Sequence, residues 1–380
     1  MIYLDNSATT RPYDAVISTV GHYMEEEYGN PSSLHRMGLN SEKAVKKARR
    51  QIAQSLNAAE NQIIFTSGGT EADNLAILGA ALARNRRGNH IITSKVEHPA
   101  VLESCKKLEQ EGFFVDYLPV DKMGAVSLDD FKNTITDKTI LVSLMHVNNE
   151  VGTIQPVQEV SSMKGNALLH LDCVQSFGKL PLSASWADLI SLSGHKIHGP
   201  KGIGALCAAK NARLIPLMVG GGQENGHRSG TENVPAIAGF GLAAEMATVN
   251  MKDRINHVSK LKSFLEEGIR EQIADILFNS PISPEKCSPY ILNISFLGTR
   301  GEVLLHQLEQ NGIYVSTGAA CSSNKKGKSH VLLAMGRTDK EIDGALRFSF
   351  SEFNTMEQME EVLDRLKTAV TQFRKLGSFR

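Results

Sequence analysis

Short apolar segments alternate with longer helical segments along most of the chain, and this alternation restricts the fold more than any other feature. The apolar segments lie at 62–65, 90–94, 113–118, 139–143, 167–171 and 188–193. Each has the length of a strand and is bounded by polar residues or glycine. Because strands that alternate with helices form a mostly parallel sheet covered on both faces, we predict an α/β fold.

The pattern changes after about residue 250. The stretch 252–270 is long, charged and helical, whereas 290–296 and 344–350 are typical of strands. A last helix is predicted to start at Asn354 or Thr355, with Asn354 as the cap and Glu357 three residues later. We therefore predict a large domain at 13–250 and a smaller α/β domain made of 1–12 and 251–380.

Composition excludes several classes of function. The chain has 380 residues, and its 41 Lys and Arg balance its 41 Asp and Glu, which favours neither nucleic acid nor an anionic membrane as a partner. No secretory signal and no membrane-length apolar segment is found, so we expect a cytoplasmic protein. Five widely spaced cysteines without a C-x-x-C pair favour single thiols over a disulfide framework or a zinc site.

Lys196 lies just beyond the predicted strand at 188–193. A lysine at a strand end can point its amine into a cleft, where a partly desolvated amine forms a Schiff base with a carbonyl compound. For an isolated lysine, a solvated loop cation would be the ordinary interpretation. The neighbouring motifs favour the Schiff base.

Two adjacent glycines, Gly68 and Gly69, connect the strand at 62–65 to a predicted helix. A helix that starts there presents unpaired backbone N–H groups and the positive end of its dipole to an anion such as phosphate. The alternative is an ordinary helix cap formed by Ser67 or Thr70. The stretch is not a nucleotide P-loop, because no G-K-[ST] follows the glycines.

Polar residues follow several other strands, at the edge where an open α/β sheet binds its ligand. They include His98, Asn149, Asp172 and Gln175. A pyridoxal phosphate attached to a lysine requires an anion site, a carboxylate for the pyridine nitrogen, a flat group on the ring and a hydrogen bond to the phenolate oxygen. The Gly68-Gly69-Thr70 helix start, Asp172, His98 and Gln175 can meet these four requirements in turn.

Cys321 lies in a segment at 316–330 that is rich in glycine and small polar residues. Lys325, Lys326, Lys328 and His330 place positive charge near its sulfur, which favours the thiolate. A buried, unreactive thiol is the alternative, and the polar surroundings argue against it. We therefore predict that Cys321 is a nucleophile.

Sequence motifs are distributed over nearly the whole chain. They are 3–9, 29–32, TSGGTE at 66–71, EH at 97–98, VNNE at 147–150, DCVQ at 172–175, SGHK at 193–196, RSGT at 228–231 and ALRF at 345–348. In these segments the chain resembles the cysteine desulfurases among the class V aminotransferase-like pyridoxal phosphate enzymes. The resemblance implies the pyridoxal phosphate-dependent transferase fold, with a sheet of the seven-stranded type, and a homodimer.

The resemblance also implies roles for individual residues. Catalysis would rest on Cys321, Lys196 and His98, and the cofactor would be bound by Lys196, Gly69, Thr70, His98, Asn149, Asp172, Gln175, Ser193, His195 and, from the neighbouring subunit, Thr231. Asn149 and Arg347 would hold the substrate carboxylate. Cysteine would be converted to alanine, with its sulfur passed to Cys321 and then to an acceptor or scaffold protein for iron–sulfur cluster assembly or tRNA thiolation.

Some alternatives stay open at this stage. An aminotransferase or a selenocysteine lyase could use the same scaffold, and a non-enzymatic scaffold protein is a third reading. Cys173 and His198 depart from the family pattern, since relatives commonly have a small residue and an aromatic there. The lysine-rich segment after Cys321 leaves the identity of the sulfur acceptor open. Whether Cys321 can also be an iron–sulfur ligand is open as well.

Overall fold

The computed structural model describes residues 1–317 and 328–377, and Cys321 lies outside the described residues. The strands of the described residues, numbered along the chain, are β1 Ile2–Tyr3, β2 Ile63–Thr66, β3 His90–Ser94, β4 Phe114–Leu118, β5 Thr139–Met145, β6 Leu168–Asp172, β7 Leu189–Ser193, β8 Gly204–Ala208, β9 Ile276–Phe278, β10 Ile291–Phe296, β11 Ile313–Tyr314 and β12 Ala345–Ser349.

The helices of the described residues flank these strands. They are α1 Asp14–Glu25, α2 Arg36–Ser55, α3 Gly69–Arg84, α4 Pro99–Gln110, α5 Leu128–Thr134, α6 Val157–Met163, α7 Val234–Thr248, α8 Met251–Gln272, α9 Gly301–Gln310, α10 His330–Ala334, α11 Asp339–Asp343 and α12 Met356–Gly377.

The large sheet has seven strands in the order β2-β8-β7-β6-β5-β3-β4. Six were predicted from the apolar segments, and the seventh, β8, is antiparallel to both of its neighbours while the other neighbouring pairs are parallel. The α/β fold with a mostly parallel sheet is therefore confirmed. The parallel strands end at one edge of the sheet, where the polar residues that follow them meet.

Helix α3 positions the centre of this edge. It packs across β5 to β8, and its buried positions form one apolar cluster with residues of those strands. The loop that follows β7 comes close to the start of α3. At Gly204 a side chain would meet the backbone of Gly68, since an added Cβ would lie 2.8 Å from the Gly68 Cα. Glycine at position 204 therefore lets the two backbones approach each other.

A second apolar core lies around a three-stranded antiparallel sheet of β12, β10 and β9, together with α8, α9 and α12. The N-terminal residues Ile2 and Leu4 pack into it, because β1 pairs with β11. The predicted domain boundaries at 13 and 250 stay a prediction. Among the described residues no single helix meets the criteria for a membrane span, although α7 and α8 taken together, with a bend of 75° between them, do so.

The start of the last helix differs from the prediction. Thr355 accepts a hydrogen bond from the Gln358 N–H at 3.4 Å, and the Gln358 side chain accepts one from the Thr355 N–H at 3.3 Å. The Asn354 side chain instead accepts from the Ser351 N–H at 2.9 Å. The capping pair is therefore Thr355 with Gln358, and the predicted pair of Asn354 with Glu357 is wrong because Asn354 closes the preceding turn.

A buried ion pair fastens the glycine-rich stretch 220–231 to the large sheet. Arg49 of α2 donates to both carboxylate oxygens of Glu224, at 2.7 and 2.8 Å, and also to the Ile63 main-chain oxygen. Glu224 accepts a third bond from the Phe65 N–H at 2.9 Å. Only 4% of the Glu224 side chain is exposed, so removal of Arg49 would leave a buried carboxylate without its cation.

We expect Arg49→Met to lower the free energy of unfolding by about 3 kcal/mol, because it leaves the Glu224 carboxylate buried without its cation. Arg50→Met is the matched control, since the neighbouring Arg50 makes an exposed pair with Glu60 that is worth at most about 1 kcal/mol. Urea unfolding monitored by circular dichroism measures both. Equal losses of unfolding free energy in the two variants would contradict a stabilising role of the Arg49–Glu224 pair.

Candidate active site

A cavity of about 240 Å³ lies at the carboxyl edge of the large sheet, against strand β12. Ten of the residues predicted for the site line it: Gly69, Thr70, His98, Asn149, Asp172, Gln175, Ser193, His195, Lys196 and Arg347. Residues separated by hundreds of positions thus share one space. Larger cavities of about 500 and 940 Å³ lie elsewhere and contain none of these ten, whereas one of about 400 Å³ adjoins the site and shares Gly69, Thr70, Ser193 and His195 with it.

Lys196 closes the short turn that follows β7, and its side chain is half-buried. Its amine donates to the main-chain oxygens of Ser7 and Ala8, at 2.5 and 2.8 Å. The N-terminal loop is held in turn by Thr10, whose hydroxyl donates to the His195 main-chain oxygen at 2.9 Å. The sequence reasoning treated this loop only as a polar connection, since nothing in its local pattern indicates that it reaches the lysine.

The start of α3 has no side-chain cap. Its N-cap is Gly68, and neither Ser67 nor Thr70 accepts a capping bond there, so the ordinary-cap alternative is wrong. The Ser193 hydroxyl, which is buried and has no partner among the described residues, belongs to the same cavity. A Cβ at Gly69 would lie 2.7 Å from Val174. The helix N-terminus and this hydroxyl suit a bound anion.

Asp172 is the last residue of β6 and is buried, with one carboxylate oxygen accepting the Val174 N–H at 2.9 Å. Burial raises the pKa of Asp172, while His98, the Val174 N–H and Lys196 oppose that shift. Burial is also the main cause that lowers the pKa of His98, and Asp172 opposes it. A nearby positive charge therefore favours the ionised form of this carboxyl group.

His98 caps helix α4. Its Nδ1 accepts the Ala100 N–H at 3.1 Å, which fixes the ring and assigns the proton of the neutral imidazole to Nε2. A fixed, flat, uncharged ring next to a carboxylate is suited to stacking on a planar ligand.

Arg347 reaches the cavity from β12 and is almost fully buried. Its guanidinium donates to Asp5 at 2.7 Å and to the Asn149 main-chain oxygen at 2.9 Å, whereas its Nε is buried without a partner among the described residues. The sequence reasoning missed Asp5. Its pairing with Arg347 joins positions at opposite ends of the chain, and no local pattern predicts such a contact.

Of the two remaining predicted residues, the structure describes only Thr231, which does not line the cavity. Thr231 is exposed in the stretch before α7, and Cys321 lies outside the described residues. The described flanks of that segment lie beside the cavity: Ser316 exchanges backbone hydrogen bonds with Arg347, and the His330 ring bonds the main-chain oxygen of Glu97, next to His98.

The other four cysteines, Cys105, Cys173, Cys207 and Cys287, are buried, and burial raises the pKa of each thiol. They are therefore unreactive in their positions. His198, the other departure from the family pattern, has ring contacts with Tyr13 at 4.8 Å and Phe353 at 5.0 Å. Its flat ring fills the place that an aromatic residue would take.

Burial, and after it the positive charges of Lys196, Lys201 and Lys179, lower the pKa of His195 to about 4. We expect the His195 ring of the cofactor-free protein to stay neutral from pH 7 until the pH falls to about 4. In Lys196→Met one neighbouring cation is lost, so the midpoint should rise. Nitrogen NMR of labelled histidine measures it, with Lys201→Met as the companion variant, and an unchanged midpoint in both would contradict the electrostatic cause.

Comparison with known proteins assigns the family. The profile of the family "Aminotransferase class-V" matches residues 2–362. The chain is 44% identical to "Cysteine desulfurase IscS" of Clostridium botulinum (strain Hall), over 99% of this chain and 96% of that protein. A solved "NifS-like protein" superimposes with a TM-score of 0.91 at 38% identity, over 97% of this chain and 99% of that one. A structure titled "SspA in complex with cysteine" has a TM-score of 0.82 at 34% identity, over 93% and 100%. The chain therefore belongs to the pyridoxal phosphate-dependent class-V aminotransferases, in the group of the cysteine desulfurases.

Proposed function

We propose that this protein converts L-cysteine to L-alanine and receives the sulfur on Cys321 as a persulfide. The observation that carries the proposal is the single cavity in which a strand-end lysine, a buried carboxyl, a fixed imidazole, an uncapped helix start and a buried arginine meet. A related structure has been solved "in complex with cysteine", which supports cysteine as the substrate here.

The residues of the cavity fit pyridoxal phosphate. The uncapped helix start at Gly69 and Thr70, together with Ser193 and His195, would hold the phosphate, and the Ser193 hydroxyl has no partner among the described residues to give up. Asp172 would pair with the protonated pyridine nitrogen. Burial raises the pKa of Asp172, and a positive charge beside it favours the carboxylate form.

Three further residues complete the cofactor site. His98 would stack on the ring, Gln175 would donate to the phenolate oxygen, and the Lys196 amine would form the covalent link. The cofactor supplies an electron sink at the substrate Cα.

Arg347 would bind the substrate carboxylate with Asn149 beside it. A guanidinium offers several N–H donors in one plane, and the Nε of Arg347 is buried without a partner among the described residues. Asp5 on its other side keeps the group oriented toward the cavity. An arginine that is 2% exposed has lost most of its hydration, so a carboxylate that reaches it is bound strongly.

The remaining steps use side chains of this chain. Lys196 Nζ would move the proton at the substrate Cα, and His98 Nε2 would move a proton to or from the substrate thiol. The Cys321 thiolate would then attack the substrate sulfur and form the S–S bond of the persulfide, while the bond from that sulfur to Cβ breaks and leaves its electron pair with the three-carbon fragment. Protonation at Cβ, and return of a proton to Cα from Lys196, would complete alanine. Both described flanks of the Cys321 segment attach beside the cavity, which supports this transfer.

We also infer a homodimer in which the partner subunit's Thr231 completes the phosphate site. Support comes from exposed apolar side chains that a single chain leaves uncovered, among them Tyr28, Leu34, Met218 and Val219. The persulfide would be handed to a cytoplasmic acceptor protein for iron–sulfur cluster assembly or tRNA thiolation. The division into domains 13–250 and 1–12 with 251–380 belongs to the same proposal.

Cys321→Ala should keep the yellow bound cofactor and lose turnover of cysteine to alanine, because the attacking sulfur is gone. Mass spectrometry of the wild type after incubation with cysteine should find one added sulfur on Cys321. Cys105→Ala is the control, since that thiol is buried and protonated. Unimpaired alanine formation by Cys321→Ala would remove the persulfide step.

Arg347→Lys should raise the KM for cysteine at least about tenfold with a smaller effect on kcat, because lysine keeps the charge but loses the planar set of donors. Steady-state alanine formation gives both constants. An unchanged KM would mean that another group binds the substrate carboxylate.

A further inference from the structure

Lys179 is a buried cation that the proposed reaction does not use. It is 6% exposed and lies one turn beyond Gln175. Its amine is 3.4 Å from the Gln175 Oε1 and 5.8 Å from the centre of the Tyr290 ring. The nearby carboxylate of Glu352 is bonded to Tyr13 and lies closer to His198 and Arg254. Burying an amine with so few polar partners is unfavourable, so its position requires an explanation.

The explanation lies in the amide of Gln175, which has a different kind of partner at each end. Its Nε2 donates to the Ser7 main-chain oxygen at 2.9 Å, and its Oε1 accepts from Lys179. A carbonyl oxygen can only accept and an ammonium can only donate. A flipped amide would set two acceptors together at Ser7 and two donors together at Lys179. The acceptor at Ser7 and the donor at Lys179 therefore assign the orientation of this amide.

The assigned orientation matters for the ligand. An amide nitrogen has two N–H bonds, and Ser7 takes one of them. Gln175 lines the cavity, so the second is available to a ligand there. We propose that Lys179 is a positioning residue that fixes the Gln175 amide so that an N–H, and not the carbonyl oxygen, faces the phenolate oxygen of the cofactor. This inference rests on the proposed role of Gln175.

The charged groups around Lys179 come from several parts of the chain. Burial lowers the pKa of Lys179 to about 7, Lys196 and Arg347 lower it as well, and Glu352 opposes them. The amine has an N–H to donate in either protonation state. Lys179 can therefore donate to the Gln175 Oε1 whether or not its amine is charged.

A competing explanation is that Lys179 acts only through its positive charge. The two explanations differ in whether the effect passes through Gln175. A double-mutant cycle separates them, because residues that act through one another are not additive, whereas independent effects are.

The experiment uses the cofactor-loaded protein and four forms: wild type, Lys179→Met, Gln175→Leu and the double variant. The measured quantity is the pH midpoint at which the visible absorbance of the bound cofactor changes. The negative charge of the phenolate oxygen stabilises the proton on the neighbouring lysine nitrogen. An N–H donated to that oxygen reduces this negative charge and so lowers the pH midpoint. Losing that bond should raise the midpoint by about one pH unit, the value expected for one hydrogen bond to a charged group.

The proposal expects equal shifts in Lys179→Met, Gln175→Leu and the double variant, with the wild-type midpoint retained in Lys179→Arg. Additive shifts, or no shift in Lys179→Met, would overturn it. Lys262→Met is the matched control, since Lys262 is a buried lysine bonded to Cys287 and Ser288 in the other core. Its midpoint should equal that of the wild type, and a shift of similar size there would overturn the proposal too.

If Lys179→Met does not fold, as judged by circular dichroism, the same cycle is built with Lys179→Leu, which also has no donor for Gln175, and is interpreted in the same way. The proposed function is tested separately. Borohydride reduction of the wild type should attach the cofactor to Lys196, and failure there would remove the proposed function itself. Attachment at Lys196 together with a shift in Gln175→Leu but none in Lys179→Met would remove only the role of Lys179.

Discussion

The main-chain oxygen of Ser7 is the contact on which the arrangement of the cavity depends most. It accepts hydrogen bonds from both Lys196 and Gln175, the first from the end of β7 and the second from the turn after β6. Asp5, two residues earlier, pairs with Arg347 of the small sheet. One short N-terminal loop thus holds groups from both apolar cores at the same place.

Buried charge is the second constraint on this site. Asp172 and Asp73 lie in or beside one cavity, and burial raises the pKa of both carboxyl groups. Lys196 opposes this shift of the pKa at Asp172, and the Arg347 guanidinium lines the same cavity. In such surroundings each charge depends on its neighbours, so a ligand that carries both an anion and a protonated ring nitrogen suits the site better than a neutral one.

Much of this could be predicted from the sequence, because the main determinants are local. Strand length and helical spacing identified six of the seven strands of the large sheet, and strand ends pointed to His98, Asp172 and Lys196. What was missed depends on distant contacts. β8 follows a glycine-rich turn that weakened its strand pattern. Ser7 acts through its main-chain oxygen, which no side-chain pattern reveals. The role proposed for Lys179 can be recognised only once the position of the Gln175 side chain is known. Thr355 was one residue from the predicted cap, since two polar residues in succession compete for that role.

The hold of the N-terminal loop on Lys196 has a practical consequence. Met1 is 92% exposed, yet the oxygens of Ser7 and Ala8 that bind the lysine amine lie only a few residues further along. A purification tag fused at residue 1 would therefore be separated by only a few residues from the loop that holds the Lys196 amine, with β1 anchoring the intervening chain to β11. The spectra of such preparations are best compared before and after the fusion is removed.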